Sequence, residues 1–60
     1  MTHYVLRHRA GEWVADRQGI VSVHERDAIR LTWDDAVAWA AKWNEVFPHM
    51  AVRIRIIFSR

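Results

Sequence analysis

The chain has 60 residues, 52% of them hydrophobic and 27% charged, with a formal net charge of +2. A chain this short buries only about 60% of its unfolded surface, which leaves room for one core, so residues 1–60 are expected to form a single compact domain. It is too apolar for disorder, has no stretch long enough to span a bilayer, and without cysteine has neither a disulfide staple nor a thiolate metal site.

The first apolar run, Tyr4 to Arg9, alternates: Tyr4 and Leu6 fall on one side of a strand, Arg7 and Arg9 on the other. Ala10, Gly11 and Glu12 then suit a short hairpin into a second, antiparallel strand, Trp13-Val14-Ala15. Asp16 to Gly19 forms the next turn, and the β-branched content of Ile20 to His24 predicts a third strand. Glu25 to Arg30 is a polar loop, with Ile29 and Leu31 as anchors before the helix.

Thr32 caps that helix, with Asp35 three residues on in an acidic variant of the capping box, and Asp34 and Asp35 complement the positive end of its dipole. The helix runs from Trp33 to Phe47, where Pro48 stops it. At about 100° per residue, Trp33, Ala36, Val37, Ala40, Trp43 and Phe47 share the face expected against the sheet. Trp39 and Val46 lie beside that stripe, either at the margin of the core or as anchors for a partner. In the last strand, Val52, Ile54, Ile56 and Phe58 alternate with Arg53 and Arg55. The expected fold is α+β: a three- to four-stranded, mostly antiparallel sheet covered on one face by a single helix, in the order β-β-β-α-β.

Little in the chain points to chemistry. His3, His8, His24 and His49 have no compact ligand spacing, so no metal is expected. Asp34 and Asp35 are accounted for by the helix dipole, and no nucleophile motif or phosphate-cradling glycine loop is present. No enzyme activity and no cofactor are therefore expected.

What stands out is charge placement. The basic residues are eight arginines against one lysine, and the acidic ones gather in the middle at Glu25, Asp27, Asp34, Asp35 and Glu45. If the first and last strands share a sheet, Arg7, Arg9, Arg53 and Arg55 meet on its open face, where guanidinium groups suit planar contact with carboxylate or phosphate. The competing account is that they only solubilise the sheet and guard its edges. A second candidate surface is the helix flank at Trp39 and Val46.

Two resemblances carry this further. The Tyr4-Val5 strand, the Gly11-x-Trp13 turn, the Arg30-Leu31-Thr32 entry to an alanine-rich helix, Pro48 and the closing alternating strand resemble small β-β-β-α-β proteins encoded by bacteriophages and prophages. That resemblance implies a host-takeover protein that binds and blocks a host machine, inhibitors of host defence among them. The run Tyr4, Arg7, Arg9, Gly11, Trp13, Val14, Ala15, with the helix from Asp34 to Ala40, is similar to the sheet-reading DNA-binding domains of plant ethylene-response factors and phage integrase arms. There arginines and a tryptophan on the sheet contact DNA, which implies such a role for Arg7, Arg9 and Trp13. The acidic middle and the added strand after the helix depart from that second pattern.

The expectation drawn from all this is a non-catalytic binding protein whose partner is a host protein, the alternative being a small DNA-binding regulator. Met1 to Arg9 carries no apolar leader core or small-residue cleavage site, so a cytoplasmic location is expected, with no membrane partner. A homodimer is also expected, because so small a chain gains by covering its apolar helix flank and an edge strand with its own copy.

Overall fold

A computed structural model describes residues 2–58, with Phe58 described through its backbone alone. Four strands and one helix follow one another along the chain: β1 (Thr2–His8), β2 (Trp13–Val14), β3 (Val21–Ser22), α1 (Trp33–Val46) and β4 (Val52–Phe58). Short 3-10 turns at Glu25–Asp27 and Pro48–Met50 connect them. All pairings are antiparallel and the strand order is β3-β2-β1-β4, so the fold is the expected β-β-β-α-β layer pair. No helix is long and apolar enough to cross a membrane among the described residues.

The two ends of the chain are the centre of the sheet. β1 and β4 pair along their whole length, from Thr2 opposite Phe58 to His8 opposite Val52. Because both strands alternate, this register puts Tyr4, Leu6, Val52, Ile54 and Ile56 on the helix side, and Val5, Arg7, Arg53, Arg55 and Ile57 on the other. Phe58, expected with the first group, has its side chain outside the described residues.

Gly11 closes the β1–β2 hairpin at φ +107°, donating its N–H to the His8 carbonyl at 2.9 Å while the His8 N–H returns to Glu12 at 2.7 Å. The next turn is organised by Asp16, whose Oδ1 accepts from the backbone N–H groups of Gln18 (2.8 Å) and Ile20 (3.1 Å). β3 is much shorter than the Ile20 to His24 expected. Ser22 ends it: its hydroxyl accepts from the His24 N–H and donates to the Asp27 carboxylate at 2.7 Å, turning the chain out of the sheet. Val23 is left 74% exposed as a result. Leu31 then returns to the sheet as an anchor, exchanging backbone hydrogen bonds with Tyr4 at 2.8 and 2.9 Å beyond the end of β2.

Thr32 caps α1 as expected, its Oγ1 accepting from the Asp35 N–H at 3.3 Å. The buried stripe is rotated from the expected one. Ala36 and Ala40 lie against the sheet with Leu6, Val14, Leu31 and Val52, and the flanking rings are Trp39 and Trp43, while Trp33, Val37 and Phe47 are exposed. Two indole hydrogen bonds fix the rotation: Trp39 Nε1–H donates to the Arg17 carbonyl and Trp43 Nε1–H to the Met50 carbonyl, each at 2.9 Å. The first ties the helix to the β2–β3 turn and the second to the 3-10 turn that follows it, and the alanines permit the close approach that tryptophan would block.

A second, smaller core occupies part of the other face. Val5 and Trp13 are buried there under Ala28, with Ile57 packed beside them. The expectation of grease on one side and charge on the other is thus corrected: the polar loop folds across one end of the open face and covers it. Fully burying Leu6, Val5 and Val14 contributes about 1.5–3 kcal/mol each, and for a chain this small both faces must serve.

Candidate functional site: an arginine cluster on the open face of the sheet

The uncovered end of that face holds Arg7, Arg9, Arg53 and Arg55, which with Ala10 and Gly11 line one open depression of about 500 Å³. β1 supplies Arg7, the residue just past its end is Arg9, and β4 supplies the other two. The strands bring together residues nearly the full length of the chain apart, and the period-2 alternation aims them the same way.

Arg7 is the organised member. Its guanidinium carbon lies 4.7 Å from the centre of the Trp13 ring, and its Nε–H donates to the Gly11 carbonyl at 3.1 Å. Cation–π contact and this hydrogen bond restrict the side chain, while Arg9, Arg53 and Arg55 are exposed. Trp13 itself is only 8% exposed, buried beneath Arg7 and beside Ala28. The ring expected to touch DNA is therefore a support for the arginine, with no free face for a base.

Arg7 and Arg53 stand directly opposite each other in the register. Like charges in that position are destabilising, by the same order of about 0.2–1 kcal/mol that opposite charges contribute. Among the described residues none of the four guanidinium groups is ion-paired; the ion pair present is Arg17 with Asp35, exposed at 3.3 Å between the β2–β3 turn and the first turn of α1. The cluster thus has its charge available for an external anion.

Trp39 and Val46 sit on a different surface. With Arg17, Lys42, Trp43 and Phe47 they line a groove of about 420 Å³ along the helix flank. Trp39 is half-buried, stacks on Trp43 with centroids 4.9 Å apart, and packs on the main core, which places it at the core margin. Val46 is exposed. Neither lies near the arginine cluster, so the two candidate surfaces are separate.

His8 is the remaining polar group of interest. It is buried on the helix side, with Nδ1 3.1 Å from the Met50 carbonyl, an acceptor, so Nδ1 carries the proton. Nε2 has no partner among the described residues. No group of three His, Asp or Glu side chains suited to a metal ion occurs among the described residues. The alternation in β1 and β4 made the arginines readable from the sequence, whereas the Ala28 cover and the buried Trp13 had no local signal.

The chain matches no protein-family model, no curated protein and no solved structure.

Proposed function

We propose that this chain is a non-catalytic binding protein that docks on an acidic surface of another protein through Arg7, Arg9, Arg53 and Arg55. The observation that carries the reading is the Arg7–Arg53 pairing: a small domain sets two arginines at directly opposite positions of its central strands, adds two more beside them, and ion-pairs none of the four with a described carboxylate. An external carboxylate relieves their repulsion, and the planar guanidinium fork donates two parallel hydrogen bonds to it. Together with the phage-type resemblance, this supports a host protein as the partner, bound so as to inhibit or regulate it in the host cytoplasm.

DNA is the alternative, with the same arginines on phosphates. Four such contacts give a salt slope of about −3.6, hence roughly a hundredfold loss of affinity between about 50 and 200 mM salt. The test is fluorescence anisotropy with labelled polyglutamate and with labelled duplex DNA, using wild type and the double variant R53A/R55A. Polyglutamate should bind, and the exposed double substitution should weaken it about tenfold without lowering the melting temperature. Unchanged polyglutamate affinity in the double variant overturns the reading. Tight duplex binding with the steep slope transfers it to DNA.

A further inference from the structure

β4 is the outermost strand on its side of the sheet, and its free edge is chemically specific. Tyr4 and His8 in β1 send their N–H groups to Leu31 and Glu12, away from β4, and Arg9 N–H reaches Ala51. Odd-numbered residues of β1 therefore bond β4, and in this register their partners are the odd-numbered residues of β4. The even-numbered residues of β4 aim their backbone groups outward. At Val52 both are taken by one side chain: Asn44 Oδ1 accepts the N–H at 2.8 Å and Asn44 Nδ2–H donates to the carbonyl at 3.1 Å. At Ile54 and Ile56 no other described group reaches them. Asn44 closes the start of the edge and leaves the rest open.

The open part has a different character on each side. Arg53 and Arg55 stand exposed on the open face. On the helix side Ile56 is 51% exposed and Trp33 53%. The Trp33 ring lies 5.2 Å from Tyr4, whose partner across the sheet is Ile56. Val37, also exposed, is one helical turn from Trp33 and two turns from Asn44, which touches the edge at Val52. Trp33 and Val37 thus share the α1 face whose Asn44 reaches the β4 edge, and Arg53 and Arg55 lie on the opposite side of the sheet.

We infer that the β4 edge is a docking site for an extended segment of a protein partner in which acidic and apolar side chains alternate. The inference rests on the reading of the basic face given above and specifies the partner's form. In an added antiparallel strand, the residues opposite Ile54 and Ile56 exchange backbone hydrogen bonds with β4 and place apolar side chains beside Trp33, Val37 and Ile56. The residue opposite Arg55 occupies a non-hydrogen-bonded position, where facing side chains approach most closely, and a carboxylate there meets the guanidinium. Charge selects this occupant over a second copy, since a second β4 brings its own arginines to the same edge.

The test uses a labelled peptide of about six residues, a typical strand length, alternating valine and glutamate. Controls are a peptide of the same composition with glutamates and valines in separate blocks, and the alternating peptide N-methylated at its valines. The alternating peptide should bind about tenfold more tightly than either control, and R53A/R55A should weaken it about tenfold. Amide exchange at Ile54 and Ile56 should be fast in the free protein and slowed on peptide binding. If R53A/R55A weakens binding but periodicity, N-methylation and exchange at Ile54 and Ile56 make no difference, the edge inference is overturned and the basic-face reading stands. If R53A/R55A has no effect, both fall. Protected Ile54 and Ile56 amides in a free protein that sediments as a dimer overturn the inference in favour of a second copy.

Discussion

Replacing Gly19 with alanine is the sharpest probe of how the helix is seated. Gly19 sits at φ +96°, and a Cβ built there lies 2.7 Å from Trp43 Cζ3 and 3.0 Å from Cη2. Those are closer than carbon atoms approach without displacement, and the ring is held by its bond to Met50, by Trp39 on one side and by Phe47 on another. Positive φ costs alanine about 1–2 kcal/mol and overpacking about 1–3, offset by about 0.4–1 from the stiffer unfolded chain, so Gly19→Ala should cost about 2–4 kcal/mol. Gly11→Ala supplies the control. Its φ is +107°, but the nearest atom to an added Cβ is the far end of the Arg7 side chain at 3.6 Å, which leaves backbone strain alone, about 1 kcal/mol. Thermal melts by circular dichroism read the difference, since each kcal/mol shifts the midpoint of a domain this small by about 4–8 °C. Equal midpoints for the two variants would refute the claim that the turn is wedged against a fixed indole.

Two further outcomes follow from the geometry. Trp39→Ala removes a half-buried ring, its stack on Trp43 and its hydrogen bond to Arg17, and should cost about 2–3 kcal/mol in urea unfolding; a variant as stable as wild type would instead make Trp39 a surface anchor. Arg53→Glu turns the like-charged pair with Arg7 into an attractive one, so it should raise stability by about 0.5–1 kcal/mol while abolishing polyglutamate binding, and a loss of stability would show that the repulsion has no weight.

The parts of the fold that were legible in the sequence are those governed by one local rule. Alternation in β1 and β4 assigned each residue its side of the sheet, because period 2 leaves no freedom once a strand is granted, but not the second core that Val5 and Ile57 join on the open face. Thr32 and Pro48 gave the helix ends, since capping and the missing proline N–H act within a turn, while the Asp35 carboxylate, expected to complete a capping box, pairs with Arg17 instead. The errors arose where distant groups compete. Periodicity alone placed Trp33 and Val37 on the sheet, but the indole bonds of Trp39 and Trp43 to Arg17 and Met50 rotate the helix away from that solution. Ile20 and Val23 have the β-branched composition of a strand, yet the Asp16 carboxylate takes the Ile20 N–H into the preceding turn and the Ser22 side chain diverts the backbone toward Asp27 before Val23 can pair. The cover of Ala28 over Val5 and Trp13 depends on where a polar loop lands, which no spacing encodes.

The arginine cluster and the second core are two consequences of one shortage. The helix can cover only one face, so part of the other must also be buried, and the loop carrying Ala28 does this at the end of the sheet near Val5 and Ile57. The opposite end, where the β1–β2 hairpin and the start of β4 meet, is covered by no element among the described residues. Apolar side chains there would face water, and mixed charges would close on one another in exposed ion pairs worth about 1 kcal/mol or less. A single-sign cluster does neither: it keeps that end hydrated and leaves its guanidinium groups without a described ion-pair partner. Edge protection and the proposed partner recognition would draw on the same arginines, with the β4 backbone distinguishing them. Protection needs only the charge, whereas recognition of an extended segment also needs the outward N–H and C=O groups of Ile54 and Ile56, which Asn44 leaves free while closing those of Val52.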